Sequence, residues 1–215
     1  MSTVHPCTDP EDRRLALAVA VAALRRGELV VLPTDTVYGV GADAFQPAAV
    51  DCLLVAKGRG RDMPVPVLVA SELMLSGVVD ALPAAGRDLV AAFWPGGLTL
   101  IVRHTVQLAW DLGETRGTVA VRMPDHPVAL ELIQATGPLA VSSANRSGLA
   151  PATVVGEARS MLGDAVAVYL DAGPAAAAVP STIVDLTGPV PVLVRQGAID
   201  AELLASIVPE IESRP

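Results

Sequence analysis

Lys57, Arg59 and Arg61 place three cations within five positions, and Gly58 and Gly60 alternate with them. Glycine lets a backbone approach an anion closely, and this spacing lets the side chains converge on it. The stretch AKGRGRDMP therefore reads as an anion-binding loop rather than a solvated run of charge. It follows a short apolar helical segment and precedes an apolar run at 65–70 that reads as a buried strand, so its cations should face a cleft. The chain is otherwise acidic, with 15 Lys and Arg against 23 Asp and Glu and a net charge of −8. A general phosphate-backbone binder needs a basic face, and stacking on bases needs more than the six aromatic residues present here. Any bound anion must be met locally.

Further polar groups collect directly behind apolar segments. PTDTVYGVGADA, at 33–44, carries Thr36 and two glycines after a strand at 29–32, where open α/β sheets place ligands. Gly39, Gly41 and Ala44 match G-x-G-x-x-A, but the first glycine falls too far from the strand to form the tight turn of a dinucleotide fingerprint. In TVAVRM, at 118–123, strand alternation puts Thr118, Ala120 and Arg122 on one face. Ser142, Ser143, Asn145 and Ser147 follow another apolar stretch, and Ser181 and Arg195 flank a last pair of strands.

Several chemistries are excluded. There is no G-x-x-x-x-G-K-[ST] loop and no G-x-S-x-G elbow, and His5, His104 and His126 lie in poor contexts for a triad, His126 reading as a helix-start residue. Cys7 and Cys52 form no metal or disulfide framework. Cations and hydroxyls without an obvious nucleophile suit phosphoryl or nucleotidyl transfer, where a protein mainly positions substrates and neutralises developing charge.

The elements that must hold these groups alternate between helix and strand. Asp9 and Pro10 open a first helix that Gly27 closes, and Pro47 opens a second, to about residue 56. Residues 71–92 read as helix in two pieces broken near Pro83, and 98–103 as strand. Residues 104–116 are irregular, with Trp110 as a loop anchor. Helices are expected at 127–135 and 153–162 and strands at 118–123 and 166–170. STIVDL and PVLVRQG read as two strands joined near Gly188, and Asp200 as the cap of a short last helix. A single domain at 1–208 with a frayed tail at 209–215 fits a length of 215 residues. The apolar run at 15–24 is too short to span a bilayer and lacks signal-peptide flanks, so a cytoplasmic protein is expected.

Taken in order, PTDTVYGVGADA, the K-G-R loop with DMP, WPGGLTLIV, VAVRMPDHP, SSANRSG, STIVDL and VRQGAI resemble the YrdC family of threonylcarbamoyl-adenylate synthases over residues 10–200. The resemblance implies a twisted, open, mixed α/β sheet flanked by helices, with a concave basic pocket. It implies synthesis of threonylcarbamoyl-AMP and pyrophosphate from L-threonine, bicarbonate and ATP, with Mg²⁺ accompanying the nucleotide. It also implies a downstream threonylcarbamoyl transferase complex acting at tRNA position 37, with weak or indirect tRNA contact. By resemblance Lys57 and Arg59 are catalytic and meet ATP phosphates, and Met63, Thr118, Ser143, Asn145, Pro151 and Arg195 complete the ATP side. Thr36, Leu68, Arg122, Val141 and Ser181 would hold threonine, Arg122 gripping its carboxylate. Many relatives carry Lys or Asn at Met63, and some a histidine at Leu68. A double-stranded RNA or tRNA-binding module is the alternative within the same fold. A hydrogenase-maturation carbamoyl transferase would need acylphosphatase-like and zinc-finger segments that two cysteines do not supply.

Overall fold

Asp9 accepts hydrogen bonds from the backbone N–H groups of Glu11 (2.8 Å) and Asp12 (3.3 Å), and so opens helix α1 (Pro10–Arg25). The computed structural model describes residues 2–213. Gly27 leaves α1 at φ 78°, as expected of a glycine stop. Helix α2 (Pro47–Lys57) ends on Gly58, whose φ of 61° and ψ of 40° are left-handed, and this turn fixes where the basic loop begins. The break near Pro83 separates α3 (Glu72–Val78) from α4 (Ala84–Phe93). Helices α5 (Pro127–Thr136), α6 (Val155–Leu162) and α7 (Ala201–Ile207) follow. His126 is the N-cap residue of α5, while Asp200 stands at the N-cap of α7 without a capping bond and instead accepts from Gln196 Nε2 at 3.4 Å.

The strands are β1 (Thr3–Pro6), β2 (Val30–Leu32), β3 (Gly39–Asp43), β4 (Val67–Leu68), β5 (Leu98–Arg103), β6 (Thr118–Arg122), β7 (Leu139–Ser143), β8 (Val168–Asp171), β9 (Thr182–Asp185), β10 (Val192–Arg195) and β11 (Glu212–Ser213). They form one open, twisted, mixed sheet in the order β1-β8-β2-β3-β7-β4-β6-β5-β9-β10-β11. Helices cover both faces. Along β2, Val31 packs into one core with Tyr38, Val40 and Leu53, while Val30 and Leu32 pack into the other with Leu132, Leu139 and α1. Burial on both faces explains why this strand is uniformly apolar.

Gly39 and Gly41 lie inside β3, antiparallel to both β2 and β7, and open no helix, in keeping with the rejection of a dinucleotide fingerprint, while two other expectations are corrected. A Cβ on Gly39 would come within 2.6 Å of Val141 Cγ1, and one on Gly41 within 3.2 Å of Val141 Cγ2, so these glycines make room for the Val141 side chain. The strand expected at 65–70 shrinks to Val67–Leu68, because Pro64 and Pro66 have no N–H for the ladder, although Val69 N still donates to Arg122 O at 2.9 Å. Residues 212–213, within the expected frayed tail, pair in parallel with Val192 and Leu193. Arg214 and Pro215 of that tail lie outside the described residues.

Strand β6 lies between β4 and β5 in the middle of the sheet, with Leu100 opposite Val121 and Val67 beside it. Arg122 is therefore not an edge residue meeting solvent. It is 6% exposed, and a charge so deeply placed needs partners.

Candidate active site

Residues from loop 33–38 and from strands β4, β5, β6, β7, β9 and β10 converge on a cavity of ≈ 220 Å³. Of the residues singled out in the sequence, Thr36, Arg59, Leu68, Arg122, Val141, Ser142, Ser143, Pro151, Ser181 and Arg195 line it. Lys57, Met63, Thr118 and Asn145 do not. Met63 is exposed, and Thr118 donates its hydroxyl to Thr115 O at 2.8 Å. Asn145 donates to Arg146 O (3.0 Å) and Leu149 O (2.7 Å), and its buried Oδ1 has no partner among the described residues.

Arg122 is held by three different elements. Nε donates to Gly96 O (2.8 Å), Nη1 to Thr36 Oγ1 (2.8 Å) and Nη2 to Asp35 Oδ1 (2.6 Å). Asp35 Oδ1 also accepts from Asp125 N at 2.9 Å. Burial lowers the guanidinium pKa, Asp35 opposes that shift, and Arg195 adds to it. Of the five N–H donors of a guanidinium, three are spent on these contacts, leaving the two that a paired grip on a carboxylate requires.

The basic loop does not converge as its spacing implies. Arg59 alone of its three cations lines the cavity, donating from Nη1 to Ser142 Oγ and from Nη2 to Pro64 O, each at 3.1 Å. Its buried Nε has no partner among the described residues. Arg61 turns away to pair with Asp51 on α2 and with Asp111. Its carbonyl accepts from Glu114 N at 2.8 Å, which ties the basic loop to residues 111–115. Trp110 anchors that neighbouring segment by stacking on Phe45 with ring centroids 5.8 Å apart.

Lys57 is 3% exposed, and its ammonium donates to Ser143 O and to Asn145 O (2.7 Å), while its own carbonyl accepts from Ser147 N at 2.8 Å. It thus braces the turn after β7 from which Ser143 enters the cavity. Burial, and secondarily Arg59, brings its pKa down to about 8. Burial also lowers the pKa of Arg59 and of Arg195, and Arg195 further depresses Arg59. Cations crowded in this way are stabilised by an arriving anion.

Three lining or supporting residues, Thr99, Thr34 and Asp35, were not singled out from the sequence. Thr99, on β5, exchanges a hydrogen bond with Ser181 across 82 positions at 2.8 Å. Arg195 donates to Ser181 O from Nε (3.0 Å) and Nη2 (2.7 Å). Ser142 holds Arg59, Thr34 holds Thr36 at 3.0 Å, and Asp35 holds Arg122. Thr34 and Asp35 sit within PTDTVYG and Thr99 within WPGGLTLIV, and these stretches are their available signal.

The family model described as Telomere recombination, Sua5/YciO/YrdC, matches residues 22–197. The chain belongs to this family. A Mycobacterium tuberculosis relative is 54% identical over 208 residues, covering 97% of this chain and 96% of its own length. The Bacillus subtilis member, named threonylcarbamoyl-AMP synthase, is 40% identical over 89% of this chain, which spans 56% of that protein. Among solved structures, Pyrococcus abyssi Sua5 complexed with L-threonine matches with a TM-score of 0.92 and 33% identity, over 100% of this chain and 63% of its own.

In this Sua5/YrdC member the fit of β3 against β7 sets one wall of the cavity, since Val141 both covers Gly39 and lines the pocket. Gly39→Ala is expected to displace Val141 and destabilise the fold by about 1–3 kcal/mol. The same variant should weaken amino-acid binding, and calorimetry beside thermal denaturation checks both effects.

Proposed function

We propose that this Sua5/YrdC member is an L-threonylcarbamoyladenylate synthase, a nucleotidyltransferase that makes threonylcarbamoyl-AMP and pyrophosphate from L-threonine, bicarbonate and ATP. The observation that carries this reading is the gathering of Arg59, Arg122 and Arg195 with hydroxyls around one small cavity, in a chain of net charge −8. The family membership and the synthase name of the relatives support it. At ≈ 220 Å³ the cavity is smaller than the ~300–1,000 Å³ typical of drug-sized ligands. It suits the amino acid, with the nucleotide extending beyond it.

In this reading the two remaining donors of Arg122 take the threonine carboxylate, and Leu68 and Val141 meet its carbon chain. The amine adds to bicarbonate with loss of water to give a carbamate, and a carbamate oxygen displaces pyrophosphate at the α-phosphorus of ATP. Arg59 and Arg195 offset the repulsion between these anions. Lys57 acts by holding Ser143 and Asn145 in place, and Thr118, Met63 and Pro151 border the nucleotide. Among the described residues no group of three or more His, Cys, Asp or Glu could hold a metal ion. Mg²⁺ enters as part of the Mg·ATP substrate. The product would pass to a threonylcarbamoyl transferase for modification of tRNA adenosine 37, a cytoplasmic role. No described helix is long and apolar enough to cross a membrane. The RNA-binding alternative gains nothing from the structure, since the cavity's cations face a pocket rather than a broad basic surface.

Purified protein should release pyrophosphate from ATP only when threonine and bicarbonate are both present. Serine should be the poorer substrate, because loss of one methyl contact is worth about 1–3 kcal/mol, or roughly 10- to 200-fold in kcat/KM. Pyrophosphate release independent of either co-substrate would contradict the reading.

A further inference from the structure

The hydroxyl protons around Thr36 can be assigned from the contacts alone. A threonine hydroxyl has one proton to donate and two lone pairs. Thr34 Oγ1 lies 2.6 Å from the carbonyl oxygen of Val37, which can only accept, so the Thr34 proton goes there. Thr34 Oγ1 also accepts from Thr36 N at 3.3 Å and lies 3.0 Å from Thr36 Oγ1. Its proton being spent, it must accept the proton of Thr36. Thr36 Oγ1 in turn accepts from Arg122 Nη1 at 2.8 Å. One lone pair is left on Thr36, and no proton. Both threonines are buried yet line the cavity.

We infer that Thr34 is a positioning residue that holds Thr36 as an acceptor-only group toward the cavity, so that the substrate atom seated against Thr36 is a hydrogen-bond donor, the α-amine of the amino acid. This rests on the threonine reading above. Thr36 is bonded directly to Arg122, so a carboxylate in the guanidinium grip brings the group on the adjacent carbon, the α-amine, to Thr36 before it brings the more distant β-hydroxyl. A bond accepted from an amine N–H leaves the nitrogen lone pair available to the bicarbonate carbon. The Thr99–Ser181 pair has the opposite character. Arg195 Nη2 donates to Ser181 Oγ at 3.2 Å, and whichever of the two hydroxyls donates to the other, the pair keeps one O–H free. The lining thus distinguishes donor from acceptor at separate places.

The test compares L-2-aminobutanoate with 2-oxobutanoate, which share a carboxylate and a carbon chain but present a donor and an acceptor respectively at C2. Each is titrated by calorimetry, with L-threonine as reference. The unaltered protein should bind the amino acid at least about tenfold more tightly than the oxo acid. In Thr34→Val the Thr36 proton is released and can turn toward the cavity, so the preference should fall to about threefold or less, while Thr34→Ser, which keeps the hydroxyl, should restore it. Thr34→Ala removes the same hydroxyl without a second methyl and serves if Thr34→Val does not fold. An undiminished preference in a folded variant lacking the hydroxyl overturns the inference and leaves the synthase reading standing. Failure of the unaltered protein to bind L-threonine at all overturns both.

Discussion

Replacing Arg122 with lysine is expected to lower kcat/KM for threonine by about 30- to 100-fold, the equivalent of roughly 2–3 kcal/mol, because a charged, paired contact is exchanged for a point charge. The KM for ATP should move by about threefold at most. The guanidinium is fixed by Gly96, Thr36 and Asp35, and a lysine ammonium cannot satisfy that set and still offer two parallel donors to a carboxylate. Arg122→Ala should do something different. It leaves Asp35, whose side chain is 19% exposed, without its ion-pair partner, and breaking a pair of this kind costs about 3–5 kcal/mol of stability. Thr118→Val is the contrasting variant four residues earlier on β6, since its hydroxyl is tied to Thr115 outside the cavity and the threonine KM should stay put. Steady-state kinetics in which Arg122→Lys affects both substrates equally would show that Arg122 does not mark the threonine end.

Lys57→Met should lose both stability and activity. The apolar chain can occupy much of the same space, but the carbonyls of Ser143 and Asn145 lose their buried donor. That should cost about 3 kcal/mol, and for a protein of this length lower the melting temperature by about 6–12 °C. Because Ser143 then shifts, kcat/KM for ATP should fall by about 100-fold. The pH dependence of stability separates charge from shape. Lysine ordinarily titrates at 10.5, and burial holds Lys57 at about 8. Between these values the unfolded chain binds more protons than the folded one, so the Lys57 contribution to stability rises with pH through that window and is constant below it. The difference in unfolding free energy between the unaltered protein and Lys57→Met should therefore grow from pH 8 to pH 10.5. A difference that is flat across that range would place the ammonium in water.

Local chemistry made the helices legible. Asp9 with Pro10 and Gly27, Pro47, and Pro83 each act within a few residues, and the corresponding boundaries follow. Strand β5 was equally plain, because 98–103 is an uninterrupted run of strand formers. Strand β3 was hidden, since its two glycines have poor strand propensity and are explained only by Val141 on β7, about a hundred residues away. Strand β1 is a short edge that pairs, among the described residues, with β8 alone, and no pattern within Thr3–Pro6 announces it. The site divides in the same way. Arg122 was legible from alternation along β6, and Arg59 from the glycine-spaced loop. Their partners were not, because Asp35 reaches Arg122 across 87 positions and Ser142 reaches Arg59 across 83. Spacing also gave Arg61 the same standing as Arg59. Only the placement of Asp51 and Asp111 draws it to the outside.

The reaction product itself bears most directly on the synthase assignment. Protein incubated with Mg·ATP, ¹³C-bicarbonate and L-threonine should yield, by mass spectrometry, a threonylcarbamoyl adenylate that carries the ¹³C label and appears with equimolar pyrophosphate. AMP and pyrophosphate formed without a ¹³C-labelled threonine adduct, under conditions where an authentic standard survives, would contradict it.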